Sequence, residues 1–279
     1  MRLCDLHTHS MFSDGSDTPE QIIEKALKIG LSAVALCDHD CVDGLPRFLN
    51  AAKNKDIVAV PGAEFSVDYN GKELHLLALF IPEDAFAELT ELMKNDTELK
   101  EKSNRLLVES LIGDGYDIDD FETIKNSTPN GKFNRVEVAT ALMKKNYVSS
   151  IKEAFETLLS EEAGYYKPRK RITVWEMIDR IKAIGAVPVI AHPFLNLTED
   201  ELSEFLPLAK ERGLVGMECY YSDYTFETTE RALTMAKLHG LKFSGGSDYH
   251  GDNKKHIGLG IGRGNLKIPF EWVEALKNN

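Results

Sequence analysis

Residues 26–40 read ALKIGLSAVALCDHD, and this stretch decides the fold class. Its first residues end a helical pattern, and Gly30 suits the left-handed position that closes a helix. Residues 31–37 are near-continuously apolar, as expected of a strand buried on both faces. The polar Asp38, His39 and Asp40 follow at the carboxyl end of that strand. Three further stretches keep the same order without repeating the sequence: RIKAIGAVPVIAHPF (180–194), LAKERGLVGMECYY (208–221) and MAKLHGLKFSGGSDYH (235–250), with Gly185, Gly213 and Gly240 in the closing position. Helix and strand in alternation predict an α/β fold with a parallel sheet. In barrels built this way catalytic groups sit on the carboxyl-end rim, which is where Asp38, His39, His192, Asp248 and His250 fall.

The chain begins MRLCDLHTHSMFSDGSDTPEQ. His7 and His9, two apart on an extended strand, point to one side, so a strand end offers both to one metal ion. The plainer alternative is an exposed polar arm. Thr18, Pro19 and Gln21 have the spacing of an N-cap, a first helical residue and a capping box, so Asp14 and Gly15 lie in the loop before that helix.

The alternation breaks over residues 83–170. Residues 84–112 read as one long helix, followed by DGYDIDDFETIKN and two shorter helical stretches, VEVATALMKKN and SIKEAFETLL, with no apolar strand between. The expected organisation is a barrel in two parts, 1–82 and 171–279, interrupted by an inserted helical subdomain over 83–170. FEWVEALKN near the C-terminus reads as a short amphipathic helix covering the barrel.

The formal net charge of −12 argues against a general nucleic-acid coat, which needs an excess of lysine and arginine to neutralise phosphates. It leaves room for a small phosphorylated ligand, since bound cations reverse the field inside one cleft. Cys4, Cys37, Cys41 and Cys219 form no CxxC pair and sit mostly in apolar runs, as reduced core thiols do. With no run of 18 apolar residues and no cleavable apolar leader, the expectation is a cytoplasmic protein with no membrane segment and no obligate protein partner.

Nine residues are candidate metal ligands: His7, His9, Asp14, His39, Glu64, His75, His192, Asp248 and His250. Each is expected at or near a strand end, and each taken singly is more often structural. Together they exceed the roughly three protein ligands of one catalytic site and suffice for two or three ions if a carboxylate bridges. Imidazole and carboxylate without thiolate suit manganese, iron or zinc, with magnesium also admissible.

The motifs DLHTHSMFSDG, ALCDHD, GAEFS, HLLALF, AHP and GSDYHG, in this order, resemble those of the PHP (polymerase and histidinol phosphatase) family of metal-dependent phosphoesterases. The branch with a helical insertion, which includes 3',5'-nucleoside bisphosphate phosphatases and 5'-3' exonucleases, is the most similar. The resemblance implies a distorted (β/α)7 barrel with a trinuclear cluster. It places His7, His9 and Asp248 on one ion, with Glu64 bridging. It places Asp14, His39 and His250 on a second ion, and His75 and His192 with Glu64 on a third. It implies hydrolysis of a phosphate monoester of a small nucleotide by a metal-bridging hydroxide, with trimming of short RNA or DNA as the alternative and a histidinol-phosphate phosphatase less favoured.

His256 is a weak candidate for the proton donor. Two basic stretches, NGKFNR with Lys132, Asn134 and Arg135, and YYKPRKR with Lys167, Arg169 and Arg171, are either a solvated face or the grip on a second phosphate; Asn134, Arg135, Lys167 and Arg169 are the chosen candidates. Tyr165 and Tyr166 either stack a base or pack the insertion, and Phe65 and Tyr249 share that ambiguity. GLGIGRG (258–264) has the letters of a dinucleotide fingerprint but opens no helix, so it reads as a turn-rich loop. His239, beside exposed helix carbonyls, is assigned no chemical role.

Overall fold

A computed structural model describes residues 2–128, 133–160, 162–167 and 171–278. The first part of the chain runs β1 (Leu3–Asp5), α1 (Pro19–Lys28), β2 (Ala33–Leu36), α2 (Leu45–Ala52), β3 (Val58–Tyr69) and β4 (Lys72–Leu79). Four helices follow: α3 (Phe86–Gly113), α4 (Phe121–Asn126), α5 (Arg135–Lys144) and α6 (Ile151–Glu156). The chain then resumes with α7 (Val174–Ala183), β5 (Val187–Ile190), α8 (Glu199–Arg212), β6 (Gly216–Tyr221), α9 (Phe226–Leu238), β7 (Lys242–Gly246), β8 (Ile268–Pro269) and α10 (Glu271–Lys277). It packs as two units, Met1–Thr90 with Arg171–Asn279, and Glu91–Lys170.

The first unit is built on one sheet in the order β7-β6-β5-β4-β3-β2-β1-β8. Its two ends come together where the Leu6 N–H donates to Gly245 O at 3.1 Å and the Asp248 N–H to His7 O at 2.9 Å, giving a nearly closed barrel. Gly246 permits that approach: a Cβ added there would lie 2.1 Å from His7 Cβ, which no side chain survives. The helix start at Thr18 forms as read, with the Gln21 N–H donating to Thr18 Oγ1 and the Thr18 N–H to Gln21 Oε1. Gly30, Gly185, Gly213 and Gly240 all have positive φ.

The sheet departs from the parallel expectation at β4, which is antiparallel to both β3 and β5. The cause is the two-residue turn Asn70-Gly71, with φ of 53° and 81°, a mirror-image turn whose twist suits a hairpin and not a crossover. The reversal has a consequence for the rim. β3 pairs with β2 only over Val58–Pro61 and continues past it, so Glu64 lies inside a long strand rather than at its end. His75 lies near the start of β4, not its end, and still reaches the same rim because that strand runs the other way.

The barrel interior is filled by Cys4, Leu6, Ala35, Val60, Leu77, Leu79, Val189 and Ile268, with Val273 and Leu276 of α10 packed against them. Truncating a fully buried leucine here, such as Leu77→Ala, costs about 2–5 kcal/mol. Cys4, Cys37 and Cys219 are free and buried, and burial pushes their thiols up, keeping them neutral.

The second unit has its own core, in which Leu107, Val108, Leu111, Phe121, Phe133, Val138 and Leu142 meet. Helix α4 was not among the expected helices; Asp120 caps it by accepting from the Thr123 N–H at 2.8 Å. Tyr166 belongs to this core and Tyr165 donates to Asp114 Oδ2 at 2.7 Å, so both tyrosines pack the unit. Phe65 is likewise core. Among the described residues no helix is long and apolar enough to cross a membrane.

Candidate metal centre

Glu64 is the centre of the rim. It is fully buried, and imidazoles approach it from β1, β2, β4 and β5. Its Oε1 is 2.8 Å from His75 Nδ1 and 2.9 Å from His192 Nε2, both in hydrogen-bond geometry. Its Oε2 is 3.1 Å from His7 Nε2, 3.3 Å from His9 Nε2 and 3.1 Å from His39 Nδ1. Yet Glu64 Oε2, His7 Nε2, both ring nitrogens of His9, His192 Nδ1 and His250 Nε2 are buried without a hydrogen bond among the described residues. Buried polar atoms ordinarily find partners, so lone pairs aimed at one another mark a site whose partner is a cation.

The donor atoms fall into four overlapping groups, each within 4.8 Å: His9, Asp14, His39 and His250; His7, His9 and Asp248; His39, Glu64 and His75; and His7, His192 and Glu218. All nine residues singled out in the sequence are in these groups or bonded to them. The donor set of imidazole nitrogens and carboxylate oxygens fits hard-to-borderline divalent ions.

The same crowding shifts the titration of these groups in both directions. Burial, with His250 and His39 as close neighbours, lowers His9 to about 3, so it is a neutral imidazole at physiological pH. His39 is lowered too, chiefly by burial. Burial works against charge on His75, but Glu64 and Glu73 outweigh it and raise it to about 10. His7 is raised for the same reason by Glu64 and Glu218. Burial alone would push Glu64, Asp14 and Asp248 up, and the surrounding imidazoles hold all three carboxyls low instead.

Two of these residues have left-handed backbones, Asp248 at φ 56° and His192 at φ 27°. Such geometry costs about 1–3 kcal/mol and persists where surrounding contacts impose it. At Asp248 those contacts are its backbone bond to His7 O and its Oδ2, which accepts from Tyr221 Oη at 3.1 Å and Lys254 Nζ at 2.8 Å. The flanking Tyr249 bonds to Asp17 and Lys25 and so ties this loop to α1. The loop at Asp14 is joined to the same segment: the Ser16 N–H donates to His250 O, and Asn253 Nδ2 donates to Asp14 O at 2.7 Å.

Sequence reasoning missed Glu218 and Lys254. Glu218 is a fully buried acid in the apolar run MECYY, and a charge inside a doubly buried strand is itself a signal. Asp38, expected at the rim, accepts from Ser10 and Ser13 and orders the loop after β1. His256 is exposed. Gly260 of the glycine-rich loop donates its N–H to Asp5 Oδ2 at 2.7 Å, a bracing role consistent with a turn-rich loop. In the second unit Arg135 lies 4.0 Å over the Tyr166 ring and 5.1 Å over Phe155, Asn134 caps α5, and Lys167 is exposed; Lys132 and Arg169 lie outside the described residues.

A β/α barrel with imidazoles and carboxylates gathered on one rim around a shared acid defines a metal-dependent hydrolase. The PHP domain model matches residues 5–184, and the chain belongs to that family. A "5'-3' exoribonuclease" of Haemophilus influenzae is 28% identical over 98% of this chain and 93% of its own length. A "phosphoribosyl 1,2-cyclic phosphate 1,2-diphosphodiesterase" of Eggerthella lenta is 28% identical over 92% and 98%, and a "3',5'-nucleoside bisphosphate phosphatase" of Chromobacterium violaceum 28% over 91% and 90%. A solved structure from Bifidobacterium adolescentis, provisionally described as a metal-dependent phosphoesterase, is 26% identical, covers 99% of this chain and 95% of its own, and superposes with a TM-score of 0.77. The chain is thus a phosphoesterase of the metal-dependent kind.

Proposed function

We propose that the rim holds two to three divalent ions and hydrolyses a phosphate monoester of a small nucleotide, such as a nucleoside 3',5'-bisphosphate. The observation that carries this reading is the convergence of unbonded imidazole and carboxylate lone pairs on Glu64. In it His7, His9 and Asp248 hold one ion and Asp14, His39 and His250 a second. His75 and His192 hold a third, and Glu64 is shared. Ions bound there supply positive charge against the phosphoryl oxygens and an acidic water as nucleophile.

The protein's own share is orientation and charge. The neutral His9 presents a lone pair without first losing a proton. Tyr221 and Lys254 hold one oxygen of Asp248, leaving Oδ1 on the histidine side, 3.1 Å from His9 Nε2. Lys254 also brings a cation to the rim beside Asp248, where it would favour an anionic substrate. For the substrate's second phosphate we assign Asn134, Arg135, Lys167 and Arg169. The Arg135 guanidinium lies over the Tyr166 and Phe155 rings and donates one N–H to Leu159 O, and a guanidinium is the group suited to bidentate contact with a phosphate.

The test is a substrate panel with manganese-loaded protein: a nucleoside 3',5'-bisphosphate, a 5'-phosphorylated trinucleotide, a phosphoribosyl 1,2-cyclic phosphate and histidinol phosphate. The expected result is release of inorganic phosphate and a 5'-mononucleotide from the bisphosphate at the highest kcat/KM. The exoribonuclease reading, favoured by the Haemophilus relative, takes its place if the trinucleotide is cleaved faster. Turnover of the cyclic phosphate alone overturns both.

A further inference from the structure

Glu218 accepts at both of its oxygens. Oε1 lies 3.0 Å from His7 Nδ1, and Oε2 accepts from the backbone N–H of His192 at 2.8 Å. The residue is fully buried on β6, opposite Ser244, and it joins two histidines that arrive from strands at widely separated points in the chain. In the neutral imidazole, an Nδ1 proton directed at Glu218 leaves Nε2 as the lone pair, and that atom faces Glu64 Oε2 and Asp248 Oδ1. The second contact falls on the left-handed backbone of His192, whose φ is 27° and whose N–H donates to Glu218 Oε2.

We infer that Glu218 is a positioning residue for the cluster, fixing the tautomer and direction of His7 and the strained backbone of His192 in one contact. Although it stands in one donor group with His7 and His192, its Oε1 meets the His7 nitrogen that faces away from Glu64 and its Oε2 meets a backbone N–H, which assigns it the place behind the ligands. A buried carboxylate behind a metal-binding imidazole raises the basicity of that imidazole and locks its orientation, and losing such a partner typically costs 10–100-fold in metal affinity. The inference rests on the reading of the rim as a metal centre.

The experiment compares wild type, Glu218→Gln and Glu218→Ala, using zinc as the probe. Circular dichroism and thermal melting of the metal-free proteins establish folding, and the near-isosteric Glu218→Gln keeps the test open where the alanine variant does not fold. Equilibrium dialysis gives zinc stoichiometry and Kd, and nitrogen-15 NMR of the zinc-loaded protein follows the His7 Nδ1–H. The expected outcome is unchanged stoichiometry at saturating zinc, a Kd weakened 10–100-fold, and a His7 Nδ1 proton that exchanges faster in Glu218→Gln than in wild type. Loss of a whole zinc equivalent at saturation would make Glu218 a ligand and overturn the inference. So would a Glu218→Gln protein with wild-type Kd and an equally protected Nδ1 proton. Failure of wild type to bind zinc or any divalent ion removes the metal reading itself, a distinguishable result.

Discussion

Asp5 and Glu64 are two fully buried carboxylates of the same barrel, and their surroundings differ in kind. Asp5 accepts from the Ser247 N–H at 2.9 Å, the Ser247 hydroxyl at 2.5 Å, the Gly260 N–H at 2.7 Å and the His7 N–H at 3.3 Å. Four protein donors satisfy it. Glu64 faces five imidazoles, and its Oε2 has no hydrogen bond among the described residues. Equal burial therefore says nothing about role. What separates the brace from the chemical centre is whether protein donors satisfy the carboxylate: both oxygens of Asp5 are satisfied, and Glu64 Oε2 is not among the described residues.

The sharpest way to break that contrast is Glu64→Gln. Activity should fall by at least about 10²–10³-fold, the scale of losing a principal electrostatic stabiliser, and metal equivalents per chain should drop in elemental analysis after dialysis. Full retention of both would erase the distinction. Asp5→Ala should do the reverse. It leaves the Ser247 and Gly260 donors buried without a partner, so urea denaturation should show a loss of roughly 2–4 kcal/mol, while folded protein keeps its metal content.

A pH titration of chelator-treated protein sharpens the comparison further. An imidazole ordinarily titrates near 6.5, and His75 is raised to about 10. Its contribution to stability is full below 6.5 and is lost as pH climbs toward 10. His9, lowered to about 3, does the opposite: the unfolded chain takes up its proton first, so stability falls as pH drops from 6.5 toward 3. The melting temperature of the metal-free protein should therefore peak near pH 6.5. Metal-loaded protein should lose the decline just above 6.5, because proton competition for the histidines eases there. The smallest effect belongs to local structure: Thr18→Ala removes an N-cap bond and should cost about 1 kcal/mol by denaturant melt, with metal content unchanged.

How much of this was readable beforehand follows from local physics. The helix ends were legible because Thr18, Gln21 and the closing glycines act within a few residues. The histidines stood out because they directly follow apolar strands. The direction of β4 escaped the alternation pattern, although Asn70-Gly71 announces a hairpin by itself. Glu218 was hidden because a strand buried on both faces has no period-two signal to say which side an acid occupies. Lys254 sits on a short turn of helix, Gly251–Lys254, where sequence spacing says little about reach.

The β3–β4 hairpin carries one more implication, for the order of assembly. Glu64 and His75 lie 11 positions apart on adjacent antiparallel strands and bond at 2.8 Å, so this pair can form from a short nascent segment. The contact between His7 and Asp248 joins β1 to the segment after β7 and waits until residue 248 has been made. Ligation across that seam would then serve as a checkpoint on completion, since a chain cut short before β7 would hold the hairpin half of the centre and lack the half that closes the barrel.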